Sequence, residues 1–336
     1  MSIQYEFDVR PKHGDLTSVA DGVEWLRMPL PFALSHINLW TLRDAHGIAI
    51  VDTGINSAKS RAIWQTAIAH RPVTRVFVTH LHPDHVGCAG WLCDDHGVEL
   101  WMSREEYLLC RILVADTGRE APEAGVSFYH SAGFPGDALA RYQEMFGMFG
   151  KFVSPVPESY QRLVDGMTVS IDGSEWEIVV GRGHSPEHSC LFNAERNIVI
   201  SGDQLLPKIS SNVSVYPTEP HADPLRDWIE SLQGMKKRLP DDVLVLPAHG
   251  SPFRGAHERL DALVDEHMTG LNRLLELCDE PRRAVDVFPA LFKAKISESN
   301  IIMATGESIA HLNYLLTEGE LKTDLDREGV RWYERS

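Results

Sequence analysis

The sequence contains only five cysteines in 336 residues, an odd number with no CxxC pair among them. An odd number of cysteines without paired spacing argues against a disulfide framework. We expect buried, reduced thiols at Cys88, Cys93, Cys110, Cys190 and Cys278.

Long apolar runs and a targeting segment are also missing. No window of about 18 residues is apolar enough to form a transmembrane helix. The first ten residues lack the basic segment, apolar core and small-residue cleavage site of a signal peptide. We therefore expect no membrane partner and a cytoplasmic location.

The sequence has fewer basic than acidic residues. The chain has 32 lysines and arginines against 48 acidic residues, for a formal net charge of -16. Because an acidic surface repels phosphate backbones, we do not expect nucleic acid as a partner. The expected partner is a small-molecule substrate. Hydrophobic residues make up 43% of the chain, which is ordinary for a globular protein.

The first 250 or so residues alternate β-like runs with helical stretches, which predicts a mixed α/β domain. The β-like runs are rich in valine and isoleucine and end at Gly, Pro, Asp or His. They cover 47–52, 75–79, 98–102, 167–171, 176–180, 197–201 and 243–246. Helices are predicted over 57–69, 104–113 and 224–238.

Residues 116–160 interrupt this alternation with eight aromatic residues, two methionines and several glycines. One interpretation is a small satellite core. The other is a lid that lines an apolar substrate pocket, with Phe146 and Phe149 in contact with the substrate. The sequence leaves both open.

From about residue 255 the pattern becomes helical. Helices are predicted over 257–278, 283–292 and 307–318, and the chain ends in a hairpin signal over 321–333. We therefore expect a catalytic domain over 1–254, with the insertion inside it. A small helical, winged-helix-like domain would follow over 255–336.

The run THLHPDHVG at 79–87 follows a strand-like segment and carries most of the chemistry. It places three histidines and one aspartate within six residues: His80, His82, Asp84 and His85. Imidazole and carboxylate are the ligands that borderline divalent metals prefer. One short loop could therefore supply ligands to two metal ions.

Other β-like runs also end in Asp or His close to glycine. These ends supply Asp52, His184, Asp203 and His249. Because the carboxyl ends of strands hold the site in open α/β architectures, a shared cavity is the economical explanation. Asp52 is expected to orient a metal ligand, and His188 to support the site or contact the substrate.

The order of these residues resembles the metallo-β-lactamase-fold hydrolases, whose pattern is H-x-H-x-D-H, then His, Asp and His. The turn DTG at 52–54 and the run SHIN at 35–38 are also similar to that family. The C-terminal part resembles the extension found in a subset that includes the β-lactamase-like protein 2 branch. The resemblance implies an αββα sandwich with metals at one edge of the two sheets.

The resemblance also implies a role for each residue of the pattern. His80, His82 and His184 would bind one metal, and Asp84, His85 and His249 the other. Asp203 would bridge the two. The implied cofactors are two divalent ions per chain, with zinc first and iron or manganese as alternatives.

Two metals about 3.5–4 Å apart imply a hydrolase in which a bridging hydroxide attacks the substrate. Asp84 would be catalytic as well as a ligand, because it can accept a proton or orient the nucleophile. The expected substrate is a thioester, ester or lactone of an apolar acyl compound. Two alternatives are a nuclease of the β-lactamase-like protein 2 kind and a mononuclear iron oxidoreductase of the persulfide dioxygenase kind. A homodimer is a further expectation.

Overall fold

A computed structural model describes residues 2–7, 9–31, 34–69 and 71–336, which form two compact units. The first unit runs from the N-terminus to Thr117 and continues over Met148–Ser211 and Gly234–Leu260. The second comprises Gly118–Gly147, Asn212–Gln233 and Asp261–Ser336. This division differs from the boundary predicted at 254/255, because most of the insertion groups with the C-terminal part. The domain boundary stays a prediction.

The described residues contain sixteen strands. They are β1 (Gln4–Tyr5), β2 (Leu16–Ala20), β3 (Val23–Pro29), β4 (His36–Asp44), β5 (Gly47–Val51), β6 (Val73–Phe77), β7 (Leu100–Ser103), β8 (Gln161–Leu163), β9 (Thr168–Ile171), β10 (Ser174–Gly181), β11 (His188–Asn193), β12 (Ile198–Gly202), β13 (Leu244–Pro247), β14 (Phe253–Arg254), β15 (Leu321–Leu325) and β16 (Arg331–Arg335).

Ten α-helices and two short 3-10 turns lie between these strands in the described part of the chain. The helices are α1 (Ala58–Ala67), α2 (Pro83–Val86), α3 (Ala89–His96), α4 (Arg104–Ala115), α5 (Glu123–Ser131), α6 (Gly136–Met145), α7 (Pro224–Arg238), α8 (Ala256–Leu277), α9 (Phe288–Leu291) and α10 (Ile301–Thr317). The turns cover Phe149–Lys151 and Ala284–Val287.

Two seven-stranded sheets build the first unit. In one sheet the strands follow chain order from β2 to β8, antiparallel up to β5 and parallel from there on. The other has the order β1-β14-β13-β12-β11-β10-β9, with β12 and β13 parallel. A parallel pair aligns its carboxyl ends at the same edge of the sheet, and these are the ends that carry the predicted site.

The two sheets pack face to face across an apolar core. Alternate residues of β3, such as Val23 and Trp25, face the interior, where Trp176 and Leu246 come from the opposite sheet. The other face of the first sheet is covered by α1, α3 and α4 through buried residues that include Trp64 and Leu92. The prediction of an α/β sandwich with a C-terminal helical part is confirmed.

The second unit has its own core, made largely by the insertion. Tyr129, Phe134 and Tyr142 are buried against one another, with ring centroids of Tyr129 and Tyr142 4.5 Å apart. Val285 and Ile301 from the C-terminal part pack against the same cluster. These aromatic residues therefore form the satellite core that was one of the two interpretations of 116–160.

Two details of the C-terminal part differ from the prediction. The stretch 283–292 is a 3-10 turn followed by a four-residue helix, because Pro289 lies at the start of α9 and supplies no backbone N–H to a continuous helix. The last helix begins at Ile301, six residues earlier than expected. β15 and β16 form the expected hairpin. No helix in the described ranges combines the length and apolar character needed to cross a membrane.

Candidate metal centre

Four strand ends deliver the predicted ligands to one place. The chain leaves β6 at Phe77 and enters the loop of His80 and His82, and the short α2 then carries Asp84 and His85. His184, Asp203 and His249 follow β10, β12 and β13. All seven side chains belong to the first unit, and five of them are buried: His80, His85, His184, Asp203 and His249.

The seven side chains form two adjoining groups whose ligand atoms lie within 4.8 Å of one another in each group. One group consists of His80, His82, His184 and Asp203, and the other of Asp84, His85 and His249. Asp203 also reaches the second group. Its Oδ2 lies 3.4 Å from His184 Nε2 and 3.5 Å from His85 Nε2, and its Oδ1 lies 3.6 Å from His249 Nε2. Asp203 therefore occupies the position between the two groups.

The pocket has the chemistry that a divalent ion needs. His85 Nε2, His249 Nε2 and Asp203 Oδ1 are buried and make no hydrogen bond within the described structure. Their separations from nearby ligand atoms exceed the roughly 2.7–2.9 Å of a charge-assisted hydrogen bond. Two ligands that are each about 2.0–2.1 Å from a tetrahedral ion lie about 3.3 Å apart. The spacing around Asp203 thus fits atoms that share an ion better than atoms that bond to each other, whereas His80 Nε2 and His82 Nδ1 lie within hydrogen-bond distance at 2.8 Å.

The electrostatics divide the histidines into two kinds. Burial holds the pKa of His80 well below its usual value and lowers the pKa of His82 to about 3, so both imidazoles are neutral, as metal ligands must be. Burial would also lower the pKa of His85, but the carboxylates of Asp52, Asp203 and Asp84 raise it well above the ordinary value. The carboxylates therefore favour positive charge at the centre of the pocket.

Asp52 supports His85, as expected from its place at a strand end. Its Oδ2 lies 2.8 Å from His85 Nδ1, and its Oδ1 accepts a hydrogen bond from the Thr79 backbone N–H at 2.8 Å. Asp52 has a φ of 60°, which is uncommon outside glycine, and these bonds hold it there. A carboxylate on the far nitrogen of an imidazole fixes the tautomer and aims the other nitrogen at the metal.

His188 supports Asp203 and is not part of either ligand group. Its Nε2 accepts a hydrogen bond from the Asp203 backbone N–H at 3.0 Å, and its ring stacks on His80 with centroids 4.7 Å apart. The neighbouring Gly202 has a φ of 50°, and a Cβ there would lie 2.5 Å from His188 Nε2. Glycine is therefore required for the strand to approach His188 this closely.

Two supporting residues were not predicted from the sequence, Thr79 and Glu106. Thr79 Oγ1 donates to Asp52 Oδ2 at 2.8 Å. Glu106 is fully buried in the first turn of α4. Its Oε2 accepts from the Leu81 N–H at 2.9 Å and its Oε1 from the Glu187 N–H at 2.8 Å. Glu106 therefore ties the loop of His80 to the loop of His184.

Glu106→Gln should weaken the group formed by His80, His82 and His184. Glutamine keeps one acceptor oxygen but turns an N–H toward the second backbone donor, so one buried bond is lost. Loss of such outer support costs about 10-fold to 100-fold in metal affinity. We expect the more weakly held ion to dissociate at about 10-fold lower chelator concentration, measured by competition with a chromophoric chelator.

Glu105→Gln is the matched control, because Glu105 is the preceding, exposed residue of the same helix. This variant should hold metal as the wild type does. Equal chelator resistance of Glu106→Gln and wild type would show that the Glu106 carboxylate does not position the loops.

The two phenylalanines predicted to contact substrate fall in different units. Phe146 is partly buried in the aromatic cluster of the second unit, 6.2 Å from the Tyr142 ring between centroids. Phe149 belongs to the first unit and packs against the core under its first sheet. Their contact with substrate stays a prediction.

All five cysteines are buried and free of disulfides. Burial raises the pKa of Cys88, Cys93 and Cys110 to about 12. Because the thiolate is the nucleophile, buried thiols of this kind are inert. The chemistry of this protein therefore centres on the histidine and carboxylate groups.

A sandwich of two sheets with these two donor groups at one edge defines a class of metal-dependent hydrolases. The chain belongs to the metallo-beta-lactamase superfamily, whose family model matches residues 34–249. Residues 271–336 match a second model, the metallo-beta-lactamase-like C-terminal domain. The match identifies the C-terminal helical part as a domain that accompanies this fold.

A solved structure of a beta-lactamase domain protein from Burkholderia ambifaria is similar over nearly the whole length. It is 39% identical, covers 99% of this chain and 98% of its own, and has a TM-score of 0.91. An atrochrysone carboxyl ACP thioesterase from Aspergillus fumigatus is 26% identical over 52% of this chain. That match spans only 38% of the thioesterase. A hydroxyacylglutathione hydrolase from Haemophilus influenzae is 24% identical over 62% of this chain and 82% of its own length.

Proposed function

We propose that this protein is a binuclear metallohydrolase that cleaves a thioester, with esters and lactones as the next candidates. The observation that carries the proposal is the pair of adjoining donor groups with Asp203 between them. A single group would suit one ion, whereas two groups that share a carboxylate suit two. Zinc is the first expectation because imidazole and carboxylate are among its usual ligands, with iron and manganese as alternatives.

Two ions in this pocket would supply a nucleophile at neutral pH and positive charge opposite a developing oxyanion. His80, His82 and His184 would hold one, and Asp84, His85 and His249 the other. Asp203, which lies between the two groups, would contribute a carboxylate to both. Asp52 and His188 hold His85 and Asp203 in place from behind, and Glu106 fixes the two loops.

Asp84 is the residue that we assign to proton transfer. Its side chain is 18% exposed, against 11% for Asp203, so it is the more accessible of the two carboxylates in the pocket. Asp84 Oδ2 lies 3.4 Å from His249 Nε2. From this position it can accept a proton from the attacking water or orient that water toward the substrate carbonyl.

Two relatives support the order of substrates, because one is named a thioesterase and the other a hydroxyacylglutathione hydrolase. An apolar acyl portion stays part of the proposal as a prediction from the sequence. The acidic net charge of -16 speaks against the alternative of a nuclease, since a nuclease needs a basic groove. Cytoplasmic location and a homodimer belong to the same proposal as expectations.

A substrate panel tests this function. Purified protein of known metal content would be assayed against acyl thioesters, esters, lactones, a phosphodiester, RNA and a persulfide with oxygen uptake. We expect the highest kcat/KM on a thioester and no oxygen uptake. Turnover of RNA alone, or oxygen consumption with a single iron per chain, would replace the proposal by one of the alternatives.

Phe146→Ala or Phe149→Ala should raise KM for a long-chain acyl thioester by about 10-fold or more, because each removes apolar area from the predicted acyl contact. The effect should shrink for an acetyl thioester, and metal content should not change. Phe128→Ala is the control, because Phe128 packs in the same aromatic cluster as Phe146 without a predicted substrate role. If KM rises equally for the long and the short substrate, or if all three variants only lower the Tm, both phenylalanines are structural.

A further inference from the structure

Arg27 lies where the apolar row of β3 ends. The row continues from Val23 and Trp25, both fully buried in the core between the sheets, to Arg27 two residues further on. Arg27 Nε is buried and makes no hydrogen bond in the described structure, and Arg27 takes part in none of the ion pairs found there. Arg27 as a whole is half-buried, but a buried N–H donor without a partner costs free energy.

His36 on the adjacent strand presents a ring nitrogen, Nε2, that has no hydrogen-bond partner in the described structure and is a donor when Nδ1 accepts from Ser35 Oγ. β3 and β4 pair Arg27 with Asn38 and Pro29 with His36, so the side chains of Arg27 and His36 share one face of the sheet. His36 is 8% exposed, and its Nε2 is buried without a hydrogen bond within the described residues. Two strands thus direct one guanidinium and one imidazole to the same region.

This region adjoins the candidate metal centre. The His36 backbone carbonyl accepts a hydrogen bond from His249 Nδ1 at 2.9 Å, and the two rings lie 6.4 Å apart between centroids. A group bound by His36 would therefore lie beside the ion that His249 is expected to hold. His36 and His249 are thus close enough for one substrate molecule to contact both, with its scissile bond at the metal centre and another portion at His36.

More positive charge surrounds Arg27. Arg10 Nε donates to Ser251 Oγ at 2.9 Å, two residues beyond His249. Burial lowers the pKa of Arg27, and the charge of Arg10 lowers it further. By contrast, Arg43 on β4 has the carboxylates of Asp21 and Asp172 at 2.8 and 2.7 Å. Arg10 is thus a second cation near Arg27, and neither arginine has a carboxylate partner among the ion pairs of the described residues.

We propose that Arg27 and His36 form a subsite for an oxyanion, a carboxylate or a phosphate, carried by the substrate beside the His249 side of the metal centre. The inference rests on the proposed function and restricts the substrate class to molecules that carry an anionic group close to the bond that is cleaved. A planar guanidinium binds either oxyanion through two parallel N–H bonds, and the His36 imidazole adds a third donor.

The subsite is tested first by binding, without any turnover. Calorimetric titrations with inorganic phosphate and with acetate would be made on the metal-loaded protein and on the metal-stripped protein. We expect one of the two anions to bind both forms, and Arg27→Met to weaken that binding about 10-fold or more. His36→Phe should weaken it less. Arg43→Met, which removes an arginine that already has partners, should bind as the wild type does.

Kinetics with matched substrates give the second test. The first substrate is an acyl thioester whose thiol portion ends in a carboxylate, and the second is the same compound with that carboxylate as its methyl ester. In a further experiment, a thiol portion that carries a phosphate replaces the one that carries the carboxylate. Arg27→Met should raise KM at least about 10-fold for the anionic member and leave the neutral member unchanged. Arg27→Lys keeps the charge and should recover part of the loss.

The two tests fail in different ways. If no thioester is turned over but phosphate or acetate still binds through Arg27, the proposed function fails and the anion subsite stands. The subsite is overturned if Arg27→Met and Arg43→Met both bind the two anions as the wild type does. It is also overturned if Arg27→Met raises KM equally for the charged and the neutral substrate. Absence of any anion binding by the wild type also overturns it.

Discussion

Asp203→Asn is expected to lose most of the activity and at least one of the two metal ions. The substitution keeps the shape of the side chain but removes the negative charge that faces His85, His184 and His249 at 3.4–3.6 Å. Loss of outer support alone costs metal affinity about 10-fold to 100-fold, so loss of the shared ligand should reduce kcat/KM on the order of 100-fold or more. Elemental analysis and steady-state kinetics measure both quantities.

Asp203→Ala should be at least as damaging, because it removes both oxygens. Asp94→Asn is the control, since Asp94 is an exposed carboxylate on α3. It should retain wild-type metal content and turnover. Two tightly held ions and normal kcat/KM in Asp203→Asn would show that Asp203 is not the shared ligand.

Removal of the metal is expected to abolish activity and to lower the Tm. Without an ion, buried nitrogen and oxygen atoms of His85, His249 and Asp203 have no hydrogen-bond partner. An ion present at about 1,000 times its Kd stabilises the folded state by about 4 kcal/mol. At about 2–4 °C per kcal/mol for a domain of this size, the Tm should fall by roughly 8–16 °C.

Mass spectrometry of protein never exposed to chelator should find two ions per chain, and calorimetry before and after chelation should give the shift in Tm. Re-addition of zinc should restore both stability and turnover, with iron and manganese as comparison ions. One ion or none in the untreated protein, or an unchanged Tm after complete removal, would contradict a binuclear centre.

The sequence was sufficient to predict which side chains come together in the two donor groups, because these residues follow local rules. Three histidines and an aspartate in one loop predict a metal site by their residue types and spacing alone. His184, Asp203 and His249 follow apolar runs that end beside glycine or proline, and strand ends gather at one edge of a sheet. Asp52 was predicted on the same ground, and its bond to His85 agrees with the role expected of it.

The supporting residues could not be found in this way, because nothing local distinguishes them. Glu106 looks like any acidic residue in the first turn of a helix, a place where negative charge is common. Its isolation from water and its bonds to Leu81 and Glu187, 25 and 81 residues away, exist only in the folded chain. Its one sequence signal is that it shares the buried face of α4 with Tyr107 and Cys110.

Residue types and short-range periodicity thus determined that this chain forms an α/β sandwich with a histidine and carboxylate centre. Only the tertiary structure shows that Tyr129 and Tyr142 of the insertion pack into a core with Val285 and Ile301 from distant parts of the chain. The same holds for Arg27 and His36, which strand register places on one face. Spacing along a chain encodes neighbours within a loop, a helix turn or a strand, whereas contacts across sheets depend on how the elements pack.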